Sequence, residues 1–135
     1  PKSIDVQKNL DELKNSKLIS LYNSLCSVPL KQNTPLLCIC LWSFLESLSH
    51  MAGNNVENSF LDFWSNKTRL TQLGYISRDE KSALAAVFAR ISRDGNVTKH
   101  HNVSAYFNYD QLYNDLETLN PLISKVISEI LNSQK

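Results

Sequence analysis

The sequence predicts an all-α protein, built as a bundle of four longer helices with one or two short helices between the second and the third. Only three Gly and four Pro occur in 135 residues, which leaves few turns between long elements. Apolar residues recur at steps of three to five positions, as they do on one face of a helix. At this length, with 42% hydrophobic residues, residues 1–135 are predicted to form a single domain with one core. Because the helical pattern already begins at Ile4, a segment excised from a longer protein also fits.

The first half of the chain predicts two long helices. A series of leucines separated by charged and polar residues predicts the first from Ile4 to Cys26. Thr34 followed by Pro35 is a typical helix start, so the second is predicted from Pro35 to Ala52. This second helix is apolar nearly all round, which predicts that it is the most buried element. Gly53 is expected to end it in the left-handed conformation.

The middle of the chain predicts a short aromatic helix and then a longer one. Phe60, Phe63 and Trp64 lie close together, and because no Lys or Arg is interleaved, a place in the core is favoured over base stacking. Ser77 with Glu80 three residues later has the form of a capping box, which predicts a helix start. That helix is expected to end near Arg93, where Asp94 and Gly95 interrupt the pattern.

The last part of the chain predicts helix from Asp110 to about Asn132, interrupted by a proline. Pro121 lacks the N–H that a helix interior needs. The segment is therefore expected to kink or to split into two helices near Asn120.

Charge and cysteine usage exclude several classes of protein. Fourteen Lys and Arg against thirteen Asp and Glu give a net charge of +1, so any contact with nucleic acid must be local. Cys26, Cys38 and Cys40 have no zinc-binding spacing, and we expect buried free thiols in a reducing compartment. No apolar run is long enough to span a bilayer. We therefore expect a cytoplasmic protein with no membrane association, no metal and no cofactor.

The polar stretch after the third of the four predicted longer helices carries the functional hypothesis. Arg93 and Asp94 are followed six residues later by His100, with Lys99 and His101 beside it. A guanidinium binds two phosphate oxygens with a planar fork, and an imidazole exchanges protons near neutral pH. Together these groups suffice for metal-independent cleavage of RNA by its own 2′-hydroxyl.

Roles and an alternative follow from the same residues. Arg93 is the candidate for phosphate binding, His100 for acid–base catalysis and Asp94 for orienting them, with Lys99 and His101 as supporting charges for nucleic-acid binding. A homodimer would place two such sites across a two-fold axis. The same residues also suit a structural role, since Arg, Asp and His near a helix end cap carbonyls and pair with each other.

A family resemblance adds to this interpretation. Leu73-Gly74-Tyr75-Ile76-Ser77 with the acidic helix start, then Leu84 to Arg93, Asp94 and His100, resembles the HEPN (higher eukaryotes and prokaryotes nucleotide-binding) superfamily over residues 34 to 132. The signature of that family is Arg, four to six residues, then His. The resemblance implies an all-helical, commonly dimeric, metal-independent endoribonuclease in bacterial defence against phage or in a toxin system with an antitoxin partner.

Part of that superfamily is not catalytic. The chain is also similar to helical C-terminal domains of bacterial ParB-like nuclease proteins. This second similarity implies a non-catalytic dimerisation or interaction domain of a larger nucleic-acid-associated protein.

Overall fold

The structure is a computed structural model that describes residues 3–54, 59–100 and 108–134, with residues 96–100 described by their backbone alone. Seven helices occur in these residues, and no strand does, so the all-α prediction is confirmed there. The helices are α1 (Ile4–Leu13), α2 (Ser16–Ser27), α3 (Thr34–Met51), α4 (Phe60–Trp64), α5 (Lys67–Gln72), α6 (Arg78–His100) and α7 (Tyr109–Ser133).

The first predicted helix is in fact two helices. Lys14 follows α1 in the left-handed conformation (φ 59°), and its N–H donates to the carbonyl of Leu10. The side chain of Asn15 then accepts a hydrogen bond from the N–H of Leu18 at 3.0 Å and caps α2. The prediction of one helix from Ile4 to Cys26 was wrong because leucine periodicity continues across a break that the backbone makes at Lys14. The first of the four predicted longer helices is therefore a pair of shorter helices, α1 and α2.

The helix α3 is the central element, as its composition predicts. It packs against α2 on one side and α6 on another, and it also contacts α4 and α7. Its cap is Asn33 rather than Thr34, whose hydroxyl instead donates to the carbonyl of Leu30 at 2.8 Å. Gly53 follows the helix with φ +94°, as expected for a left-handed C-terminal residue. The buried side chains of α3 are those of Thr34, Leu37, Cys38, Cys40, Leu41, Phe44, Leu45, Leu48 and Ser49.

The aromatic cluster belongs to the core. Phe60, Phe63 and Trp64 are buried, and the Trp64 ring stacks on Phe88 of α6 with 5.2 Å between centroids. The Trp64 indole Nε1 donates to the carbonyl of Leu45 at 3.2 Å, which satisfies its polar atom. The cluster therefore joins α4 to α3 and α6, and the core interpretation is confirmed.

The helix α6 begins where the sequence predicts and ends later. The N–H of Glu80 donates to the Ser77 hydroxyl at 3.0 Å, so the predicted cap is present. The predicted end near Arg93 was wrong, since the helix continues through Gly95 to His100. A Cβ at Gly95 would lie 2.4 Å from Cβ of Trp42 and 3.0 Å from the carbonyl oxygen of Cys38. Gly95 is thus the point where the backbone of α6 packs closely against α3, and it is not the end of α6.

The helix α7 is a single element that contains Pro121. Of the two predicted alternatives, a kink or a split near Asn120, the split was wrong. Pro121 lies on the exposed side of α7, while Asn120 and Leu122 beside it are buried. Asn120 accepts a hydrogen bond from the hydroxyl of Tyr22 at 3.0 Å. These contacts hold the helix in the core on both sides of the proline.

The helix α1 packs on α7 and joins the two ends of the chain. The side-chain amide of Asn9 donates to the Ser124 carbonyl and hydroxyl at 3.1 and 2.9 Å, and to the Ser128 hydroxyl at 3.1 Å. The apolar residues Val6 and Leu10 are fully buried in the same helix. Hydrogen bonds to α7 and the burial of apolar side chains therefore both hold α1 in place.

Candidate functional site

The structure brings Arg93 and Asp94 together on the late part of α6. Nε of Arg93 donates to Oδ1 of Asp94 at 2.9 Å. The Arg93 side chain is 66% exposed, whereas that of Asp94 is 22% exposed. The hydrogen bond that Arg93 donates to Asp94, and then the negative charge of Asp94, raise the pKa of Arg93, so the guanidinium stays charged. Arg93 has no second hydrogen-bond acceptor among the described side chains.

For the histidine of the motif, His100, the structure describes the backbone alone. His100 is the last residue of α6, and Lys99 precedes it in the same helix, while their side chains lie outside the described residues. His101 lies outside them entirely. Arg93 and His100 are separated by seven residues of one helix, about two turns or 10.5 Å along the axis, at nearly the same angle around it. Helical periodicity therefore relates these two positions, because α6 continues to His100.

A second ion pair lies next to the first and was missed from the sequence. Arg90 makes two hydrogen bonds to Asp115 of α7, Nη2 to Oδ1 at 2.7 Å and Nε to Oδ2 at 3.1 Å. Asp115 is 4% exposed and also accepts from the side-chain amide of Gln111 at 3.1 Å. Hydrogen bonding of Arg90 to Asp115 is the main reason that the pKa of Arg90 is raised. This pair joins α6 to α7 beneath the exposed Arg93.

One sequence signal would have pointed to half of this pair. Asp115 falls three residues after Leu112 and one before Leu116, inside the apolar face of its helix. A carboxylate in such a face needs a buried partner. The partner Arg90 is 25 positions away, and only the packing of α6 on α7 identifies it.

The two ion pairs line one small cavity among α3, α6 and α7. Its volume is about 110 Å³. Two guanidinium groups and two carboxylates face it, so their formal charges cancel. Its lining residues are Cys38, Leu41, Arg90, Ile91, Arg93, Asp94, Asn108, Gln111, Leu112 and Asp115.

The cysteine in the wall of the cavity is an unreactive thiol. Burial, and to a smaller extent the charges of Asp94 and Asp115, raise the pKa of Cys38 to about 12. Burial likewise raises the pKa of Cys40 to about 11. All three cysteines are free; Cys38 and Cys40 are buried, and Cys26 is half-buried. The raised pKa and the burial of Cys38 therefore disfavour a nucleophilic role at neutral pH.

Other candidate groups have local partners. The His50 ring nitrogen Nε2 lies 2.9 Å from a carboxylate oxygen of Glu46, one turn earlier in α3. In the described ranges, no three His, Cys, Asp or Glu side chains are grouped closely enough to hold a metal ion. Nor does any helix of these ranges have the length and apolar character needed to cross a membrane.

Comparison with known proteins found no match. No protein-family model, curated protein or solved structure matched the chain. The site is therefore interpreted from its own geometry.

Proposed function

We propose that this domain binds RNA through Arg93, Asp94 and His100 and cleaves it without a metal ion, as a cytoplasmic homodimer. The observation that carries the proposal is the continuation of α6 to His100. It gives Arg93 and His100 nearly the same direction on the helix, with Arg93 exposed to solvent and held at Nε by Asp94. A role in phage defence or in a toxin system rests on the HEPN resemblance alone.

The guanidinium of Arg93 suits phosphate binding. With Nε held by Asp94, the two Nη groups offer four N–H donors in one plane. A phosphodiester has two non-bridging oxygens at a spacing that this fork matches. Arg93 would therefore hold the scissile phosphate, and Asp94 acts as a positioning residue through its hydrogen bond.

His100 supplies the proton transfers. The ribose 2′-oxygen attacks phosphorus while an imidazole removes its proton, and the bond from phosphorus to the 5′-oxygen breaks as that oxygen receives a proton. The products are a 2′,3′-cyclic phosphate and a 5′-hydroxyl end, so water and metal are not consumed. In a homodimer the two copies of His100 serve as base and acid, and Lys99 and His101 add positive charge near the strand.

The test is a cleavage assay in EDTA with wild type, Arg93→Ala and His100→Ala, on labelled single-stranded RNA. Loss of general acid–base catalysis typically lowers the rate 10²- to 10⁴-fold, and a comparable loss is expected for His100→Ala. His50→Ala and Lys17→Ala are matched controls, because these residues lie on other helices, and both should keep wild-type activity. A wild-type protein that cleaves no RNA would refute catalysis, and a fully active His100→Ala variant would refute the acid–base role of His100.

Dimerisation is tested separately by sedimentation equilibrium. A dimer that persists in Arg93→Ala shows that the variant lost chemistry rather than assembly. A wild-type protein that stays monomeric at micromolar concentration contradicts the two-copy arrangement.

A second candidate function is a non-catalytic interaction domain of a larger nucleic-acid-associated protein. The observation that favours it is the pairing of both cavity arginines, Arg90 with Asp115 and Arg93 with Asp94. The pair of Arg90 and Asp115 joins α6 to α7, and both pairs lower the local positive potential. RNA that is neither bound nor cleaved by a folded dimer would support this function over the first.

A further inference from the structure

A groove at the start of α6 carries three cations. It lies between the α4–α5 segment and the first two turns of α6, and its volume is about 480 Å³. Lys67, Arg78 and Lys81 line it, together with Ile76, and we call these four residues the basic groove. The cavity of Arg90 and Asp115 shares none of its lining residues.

The charge of the basic groove is not compensated within the described residues. None of its three cations forms an ion pair there, whereas Arg69, Arg90 and Arg93 each do. Among the residues that the structure describes, no carboxylate lines it, although Asp79 and Glu80 stand in the same turn of α6. Arg78 and Lys81 are three residues apart and hence neighbours on one helix face. Together with Lys67 they present three positive charges to an occupant.

An exposed aliphatic side chain lies in the same groove. Ile76 is 75% exposed just before α6, and Ala85 extends the apolar lining along the helix. Ser65 lies beside them, and its hydroxyl is buried with no hydrogen-bond partner among the described residues. Buried hydroxyls normally have a partner. The groove thus combines cations, an uncovered apolar group and an unsatisfied polar atom.

We propose that the basic groove binds an acidic segment of a partner protein that carries one aliphatic anchor residue. Three unpaired cations complement the carboxylates of such a segment, and its aliphatic side chain covers Ile76. Single-stranded nucleic acid is disfavoured because none of the described side chains that line the groove is aromatic and able to stack on bases. This inference does not depend on Arg93 or on RNA cleavage.

The test measures binding of fluorescein-labelled twelve-residue peptides to the whole chain by anisotropy. Each peptide carries four Glu and one Leu among Ser, with the Leu at a different position in each, and a matched set has Ser in place of Leu. We expect at least one Leu peptide to bind more tightly than its Ser counterpart. Raising the salt concentration from 50 to 500 mM should weaken that binding.

Variants locate the site. Lys67→Glu and Lys81→Glu should each weaken binding of the Leu peptide by about three- to tenfold, since each removes an exposed attraction and adds a repulsion. Ile76→Ser should remove the preference for Leu over Ser. Lys17→Glu on α2 makes the same charge change at an exposed position and should leave binding unchanged. Circular dichroism shows whether each variant is folded.

Three outcomes would overturn the proposal. The first is the absence of binding by every Leu peptide at millimolar concentration. The second is equal binding of Leu and Ser peptides, which would leave no role for Ile76. The third is a labelled single-stranded RNA that binds more tightly than any peptide and loses affinity in Lys81→Glu, which would make the groove a nucleic-acid site.

Discussion

Replacing Gly95 with Ala should destabilise the fold, although the same change in most helices stabilises them. In an exposed helix interior, Ala is favoured over Gly by about 1 kcal/mol. Here the new methyl would lie 2.4 Å from Cβ of Trp42 and 3.0 Å from the Cys38 carbonyl oxygen. Carbon atoms in contact prefer roughly 3.5–4.0 Å, so α6 and α3 must separate by more than about 1 Å.

The magnitude follows from these opposing effects. Overpacking a core costs about 1–3 kcal/mol, and both clashing atoms are fixed to the backbone of α3, so the upper part of that range applies. After the gain in helix propensity, we expect a net loss of about 1–2 kcal/mol in the free energy of unfolding. Urea unfolding followed by circular dichroism measures this loss by linear extrapolation.

A calibration variant separates the two effects. Ala89→Gly, at an exposed position of α6, should cost about 1 kcal/mol through helix propensity alone. A Gly95→Ala protein that is more stable than wild type by that amount would refute the close packing of α6 on α3. It would favour instead the interpretation that Gly95 is only a weak point in the helix.

Three further predictions concern buried groups. Asp115→Asn should lower the free energy of unfolding, measured in urea, by about 2–3 kcal/mol. The loss is smaller than for a fully buried ion pair because the Arg90 side chain is 32% exposed, and a change below about 0.5 kcal/mol would contradict a buried pair. Burial raises the pKa values of Cys38 and Cys40 to about 12 and 11, so both thiols should resist thiol reagents at pH 8 until the protein unfolds. Mass spectrometry of labelled peptides measures this, and rapid labelling of either cysteine in the native state would contradict the prediction. Burial raises the pKa of Tyr22, so the folded state holds this proton more tightly than the unfolded state, and stability should fall as pH rises above about 10. Tyr22→Phe should lack that contribution at high pH, and an unchanged pH dependence would refute its origin at this residue.

The sequence predicts the helical class and the central helix because both depend on features that are local or repeated. The apolar composition of α3 is visible in one continuous stretch of sequence. The capping residues Ser77 and Gly53 influence only the few residues next to them. Where the prediction failed, packing had overridden local preference. Asp94 and Gly95 have low helix propensity, yet α6 continues through them because Gly95 admits the backbone of α3.

The candidate site was predicted in its first half only. Adjacent residues Arg93 and Asp94 could be paired from sequence, and the structure places them 2.9 Å apart. The pair of Arg90 and Asp115 required knowledge of which helix packs on which. The split at Lys14 was equally hidden, since one left-handed residue leaves the leucine pattern on both sides intact.

The hydrogen bonds of Asn9 to Ser124 and Ser128 have a consequence for the order of folding. They join residues separated by 115 and 119 positions. During synthesis, α1 leaves the ribosome well before its partner α7 has been made. Until then the apolar face of α1, with Val6 and Leu10, has no α7 to cover it, so native packing of the domain is delayed until translation has passed Ser128. Nascent chains stalled before that point should therefore be digested by protease within α1, and those stalled well beyond it should be protected.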